Sequence, residues 1–144
     1  MTITMKDLMA MTPTELDNLY KNSPIGEIPN GQSNGKVLFV FQISMWEVFS
    51  SLIDSFLWQG KIFDREQGLL LNRLTVFGLH MVDAKVYRGN SWLSEGESII
   101  LDYSKSSFFL AQKIRDEIRE VAPGLYLGQA YWDRTRVLSF ALQF

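Results

Sequence analysis

Cysteine is missing from all 144 residues, so disulfides, thiolate metal sites and cysteine nucleophiles are excluded. Charge of one sign is also missing. Fourteen Lys and Arg stand against 16 Asp and Glu, for a net charge of −2, and the basic residues are dispersed. No broad positive field exists for a phosphate backbone, so a nucleic-acid partner is not expected. With a single histidine, His80, the chain cannot build a multi-histidine metal centre, and no acidic cluster suggests calcium; no metal is expected. No glycine-rich phosphate loop of the Gly-x-Gly-x-x-Gly type follows a strand, and no cofactor is implied. The longest apolar region, Val37 to Trp58, is interrupted by Gln42, Glu47 and Asp54, which is too polar for a transmembrane segment. Met1 to Met11 has no basic segment leading into an apolar run, so the expected location is cytoplasmic.

What is present is apolar and aromatic. Hydrophobic residues make up 47% and aromatics 13%, enough to bury a core that offsets the ordering entropy of one domain spanning residues 1–144. Thr12-Pro13-Thr14-Glu15 has the spacing of a capping box with proline at the first helical position, and predicts a helix from Pro13 to Asn22 that stops before Pro24. A turn-rich stretch, Gly26 to Gly35, precedes a short strand, Lys36 to Val40. Between Ile43 and Trp58 apolar residues recur at three- and four-residue steps, which predicts an amphipathic helix ended by Gly60.

Beyond Gly60 the period shifts toward two. Strands are predicted over Lys61–Asp64, Leu69–Phe77, Leu79–Arg88 and Ser98–Tyr103, joined by turns at Arg65–Gly68, Gly78 and Ser94–Gly96. A short helix over Ser107–Lys113 then leads to strands at Arg115–Val121, Leu125–Trp132 and Arg136–Phe144, with a hairpin at Pro123-Gly124. Seven or eight antiparallel strands avoid exposed edges most simply by closing. The expected fold is therefore mainly β (α+β), a closed antiparallel barrel of about eight strands, with an N-terminal helix and a second helix capping one end.

The turn-rich glycine segment, the apolar helix and then Trp58-Gln59-Gly60-Lys61-Ile62-Phe63 opening a β-meander resemble the lipocalin-like (calycin-type) group of small bacterial barrels. In particular the chain is similar to proteins that carry a Gly-x-Trp-x-Gly segment before a Trp-x-Gly-Lys-x-Phe segment. The run Arg115 to Gly128 is similar to their closing hairpin. Where that group has its first tryptophan, Gly26-Glu27-Ile28-Pro29-Asn30-Gly31 has none. The resemblance implies binding of a hydrophobic small molecule inside the barrel, although fold likeness does not by itself fix function.

Candidate ligand contacts follow from residue type. Trp46, Phe49, Phe56 and Trp58 lie in the predicted capping helix; Phe63, Tyr103, Tyr126, Tyr131, Trp132 and Phe140 lie on predicted strands. The bland reading of each ring is ordinary core. Alternation over Arg115–Val121 puts Arg115, Glu117 and Arg119 on one face and Asp116 and Glu120 on the other. Their bland reading is a solvated face with ion pairs of little energetic weight. The functional reading turns Arg115 or Arg119 inward to hold a ligand carboxylate, with Arg73 and Lys61 as further candidates, because a cation inside an apolar barrel needs a partner.

Three readings of function result. The first is binding or carriage of a hydrophobic small molecule in the barrel cavity, with an acidic head as one option, a lipid-binding role. The second is a small cofactor-independent enzyme, an isomerase or cyclase, using Tyr103, Asp102, His80 or Arg119 as acid, base or charge stabiliser. The third is a protein-interaction module without a pocket, in which Lys36–Val40 pairs with a partner strand.

Overall fold

The computed structural model describes residues 2–41, 58–74, 83–106 and 109–144, with backbone alone for 58–60, 71–74 and 109–110. Two helices come first, α1 (Met5–Ala10) and α2 (Pro13–Asn22), and both start in capping boxes. In α2 the Glu15 amide donates to the Thr12 hydroxyl at 3.2 Å while Glu15 returns a carboxylate oxygen to the Thr12 amide at 3.0 Å. Thr4 and Asp7 make the same reciprocal pair for α1, a helix the periodicity does not predict.

Nine strands follow: β1 (Gly31–Gln32), β2 (Asn34–Val40), β3 (Trp58–Asp64), β4 (Leu69–Leu74), β5 (Asp83–Asn90), β6 (Glu97–Asp102), β7 (Ile114–Ala122), β8 (Leu125–Trp132) and β9 (Thr135–Gln143). They form a single antiparallel sheet in the order β1-β3-β4-β5-β6-β7-β8-β9-β2. β1 and β2 are separated only by Ser33, yet β1 pairs with β3 at one edge and β2 with β9 at the other. The stretch Gly31–Val40 thereby joins the two edges and makes the sheet a nearly closed barrel. This is the expected architecture, with eight crossings if β1 and β2 are taken as one.

Some boundaries differ from expectation. Trp58 opens β3 rather than ending a helix; the rest of the predicted helix, with Trp46, Phe49 and Phe56, lies outside the described residues, as does His80. The short helix near Ser107–Lys113 is a 3-10 turn, Phe109–Lys113. β5 runs on through Asn90, past the strand end expected at Arg88. At the Pro123-Gly124 hairpin Gly124 has φ 71°, a left-handed conformation that glycine adopts without strain.

Both faces of the sheet are dry over β7, β8 and β9. Inside, Leu101, Ile118, Leu138 and Phe140 belong to one apolar cluster. Outside, Leu8, Leu16 and Tyr20 from the helices cover Leu125, Leu127 and Ala141. A strand covered on both sides buries polar residues of both parities, and β7 does: Asp116, Glu117 and Arg119 are all buried.

One end of the barrel is filled. The Phe144 ring packs edge-on against Phe63 and Tyr126, with centroids 5.5 Å away in each case. Ile25 and Ile28 join the same inner cluster from the loop before β1.

Candidate functional site

Three polar side chains meet inside the apolar wall. On β3, Lys61 and Phe63 are buried while Ile62 between them is partly exposed, so Lys61 shares the inward parity of Phe63. On β7, Asp116 lies between the inner residues Ile114 and Ile118, and its cross-strand neighbours Leu101 and Ala130 are inner residues too. Tyr103 directly follows β6 and belongs to the inner cluster.

The Lys61 ammonium donates to the Tyr103 hydroxyl at 2.6 Å and lies 3.3 Å from Asp116 Oδ2. Tyr103 in turn donates to Asp116 Oδ2 at 3.4 Å. Lys61 Nζ also sits 5.2 Å from the Tyr103 ring centroid and 5.6 Å from that of Phe140, within cation–π range. All three residues are at most 4% exposed. Asp116 Oδ1 is buried and has no hydrogen-bond partner among the described residues.

Burial sets the electrostatics of this group. Taking the charges out of water pushes Lys61 down and Asp116 up from their ordinary values, while their mutual attraction opposes both shifts. Paired with each other, a lysine and an aspartate sum to no net charge as a pair.

Of the predicted contacts, Phe63, Tyr103, Tyr126 and Phe140 are inner residues, and Trp132 packs partly buried against them. Tyr126 spends its hydroxyl on the Glu27 carbonyl at 2.6 Å. Trp58 and Arg73 are placed by backbone only, on β3 and β4.

The arginines correct the inward expectation. Arg119 points out of the barrel beneath α2, where it donates to the carbonyls of Tyr20, Glu95 and Glu97 at 2.9–3.2 Å and to Ser98 Oγ at 3.1 Å. Arg115 is outside too: it pairs with Glu117 at 2.7 Å and lies 3.9 Å from the Trp92 ring centroid. Tyr131, the cross-strand partner of Arg115, joins this outer group, edge-on to Trp92 at 5.0 Å. The physical reason is the parity of β7, which gives the interior to Ile114, Asp116 and Ile118. Asp102 is likewise remote from the interior group, accepting from the half-exposed Tyr87 hydroxyl at 2.8 Å and the Ser104 amide at 2.9 Å. Nor is the charged face of β7 solvated. Glu117 is fully buried, accepting from the Tyr20 and Ser91 hydroxyls at 2.9 and 2.5 Å and from the Trp92 amide at 2.8 Å.

Asp116 is the functional candidate that sequence reasoning passes over. Its signal is nevertheless present: Ile114, Asp116 and Ile118 share one parity, and only a buried cation makes a carboxylate tolerable among isoleucines.

No protein-family model matches the chain, and no curated protein matches it. A solved structure, that of a protein from Thermomonospora curvata, superposes with a TM-score of 0.63 at 17% identity, covering 92% of this chain and 87% of the other. At that identity the likeness is one of fold. Among the described residues no helix is long and apolar enough to cross a membrane.

Proposed function

We propose that the barrel binds and carries an apolar small molecule in its interior, in the manner of lipocalin-like proteins, and does so in the cytoplasm. The observation that carries this reading is Asp116 Oδ1, a buried acceptor on the inner wall with no hydrogen-bond partner among the described residues. A carboxylate oxygen left bare in a dry interior costs free energy, and a bound molecule that reaches it removes that cost. The filled end at Phe63, Phe144 and Tyr126 supports a chamber with its floor on that side.

The test is titration with the neutral dye Nile red, joined to native mass spectrometry of the freshly purified protein. Saturable one-to-one dye uptake, or a co-purifying mass, is expected. A folded protein that shows neither sinks the reading.

A second reading is a cofactor-independent isomerase or cyclase, favoured by the 2.6 Å contact between Lys61 and Tyr103, an acid–base pair inside the same wall. Of the acid–base candidates read from sequence, Tyr103 is the one in that group. The strand-pairing module has less to work with, because Lys36–Val40 lies within β2 and is hydrogen-bonded to β9.

A further inference from the structure

We propose that the interior selects a lipophilic alcohol, with the ligand hydroxyl seated on Asp116 Oδ1, and that it discriminates against carboxylic acids. The inference rests on the carrier reading above and gives it a head-group chemistry.

An acidic head would suit a barrel whose cation lacked a counter-ion. Here the cation has one. Lys61 is 3.3 Å from Asp116, so the group is electrically neutral as a unit. An incoming carboxylate would bring a second negative charge beside Asp116 and would have to shed its hydration to do so. The acceptor left over is Oδ1, and it calls for a donor.

A hydroxyl also fits either arrangement of the shared proton. With Asp116 charged, the ligand O–H donates to Oδ1. With Asp116 protonated instead, the ligand oxygen accepts from the acid. An ether or ester lacks the donor and serves only the second case. The carbon skeleton would pack on Leu101, Ile118 and Phe140.

The experiment displaces Nile red with three probes of one chain length: decanol, decyl methyl ether and decanoic acid. Decanol is expected to bind about tenfold or more tightly than the ether, as for a hydrogen bond to a charged acceptor, with the acid weakest. The double variant Lys61→Met/Asp116→Leu, an apolar replacement of the pair, should treat alcohol and ether alike. The proposal is overturned if decanoic acid matches decanol, if wild type ignores the hydroxyl, or if a folded double variant still prefers the alcohol. Dye uptake without alcohol preference would remove this inference and leave the carrier reading standing; no dye uptake at all removes both. If the double variant does not fold, the wild-type comparison of alcohol with ether decides alone.

Discussion

The Phe140 ring lies across Gly128, its cross-strand partner on β8, so closely that a methyl group on Gly128 would overlap the ring. Gly128 is thus required for the space its missing side chain leaves. Gly128→Ala should destabilise the fold by about 1–3 kcal/mol through overpacking, read as a lower urea midpoint. Adding Phe140→Leu should restore part of the loss. If Gly128→Ala is neutral, the ring does not hold that position in solution.

The interior pair should show the asymmetry of buried charges. Lys61→Met alone strands Asp116 and should cost about 3–5 kcal/mol. The double variant Lys61→Met/Asp116→Leu should recover most of that loss, since apolar replacement of a buried pair is often neutral or better. Urea unfolding of both proteins checks this. A double variant less stable than the single would mean that Lys61 and Asp116 are not energetically coupled.

Outside the barrel, Tyr20 ties α2 to the sheet by its hydroxyl, 2.9 Å from Glu117 and 2.7 Å from Ser98. Tyr20→Phe should cost about 1–3 kcal/mol, because Glu117 loses a donor in a place water does not reach. A double-mutant cycle with Glu117→Gln should give a coupling of roughly 0.5–3 kcal/mol. Strict additivity would argue that the Tyr20–Glu117 hydrogen bond does not help to hold α2.

Alkaline pH provides a fourth test. Burial, reinforced by nearby carboxylates, raises the phenols of Tyr20, Tyr126 and Tyr131 above their ordinary value; Glu117 acts on Tyr20 and Tyr131, and Glu120 on Tyr126. A raised folded value means that the native state keeps its proton where the unfolded chain loses it. The stability these groups contribute is therefore full below about pH 10 and falls as pH climbs past it. Spectrophotometric titration should show tyrosines that ionise only as the protein unfolds. Ionisation of all five near pH 10 with the fold intact would refute it.

Local signals were legible where one physical cause dominated. The Thr12–Glu15 box marks α2 because the orphan amides at a helix start have few other partners; the equivalent box at Thr4–Asp7, which opens α1, is one the sequence reading passes over. The late strands read well because Leu138, Phe140 and Leu142 on one parity line one dry face. β7 defeated the reading of Arg115 and Arg119 for a definite reason. Its alternation separates the two parities but does not say which one is inside, and here α2 buries the outer parity as deeply as the barrel buries the inner. Helical cover on the outside is a tertiary fact, without a trace in the period of the strand itself.

The stretch Gly31–Val40 that joins both sheet edges has a kinetic consequence. Gly35 faces Leu142 across the seam, so sealing the tube waits for the union of two segments far apart along the chain. Such distant pairings are slow to find. Until they meet, the partners of β2 on β9 and of β1 on β3 present raw backbone to any neighbouring molecule, and the hazard of sticking is concentrated in that interval.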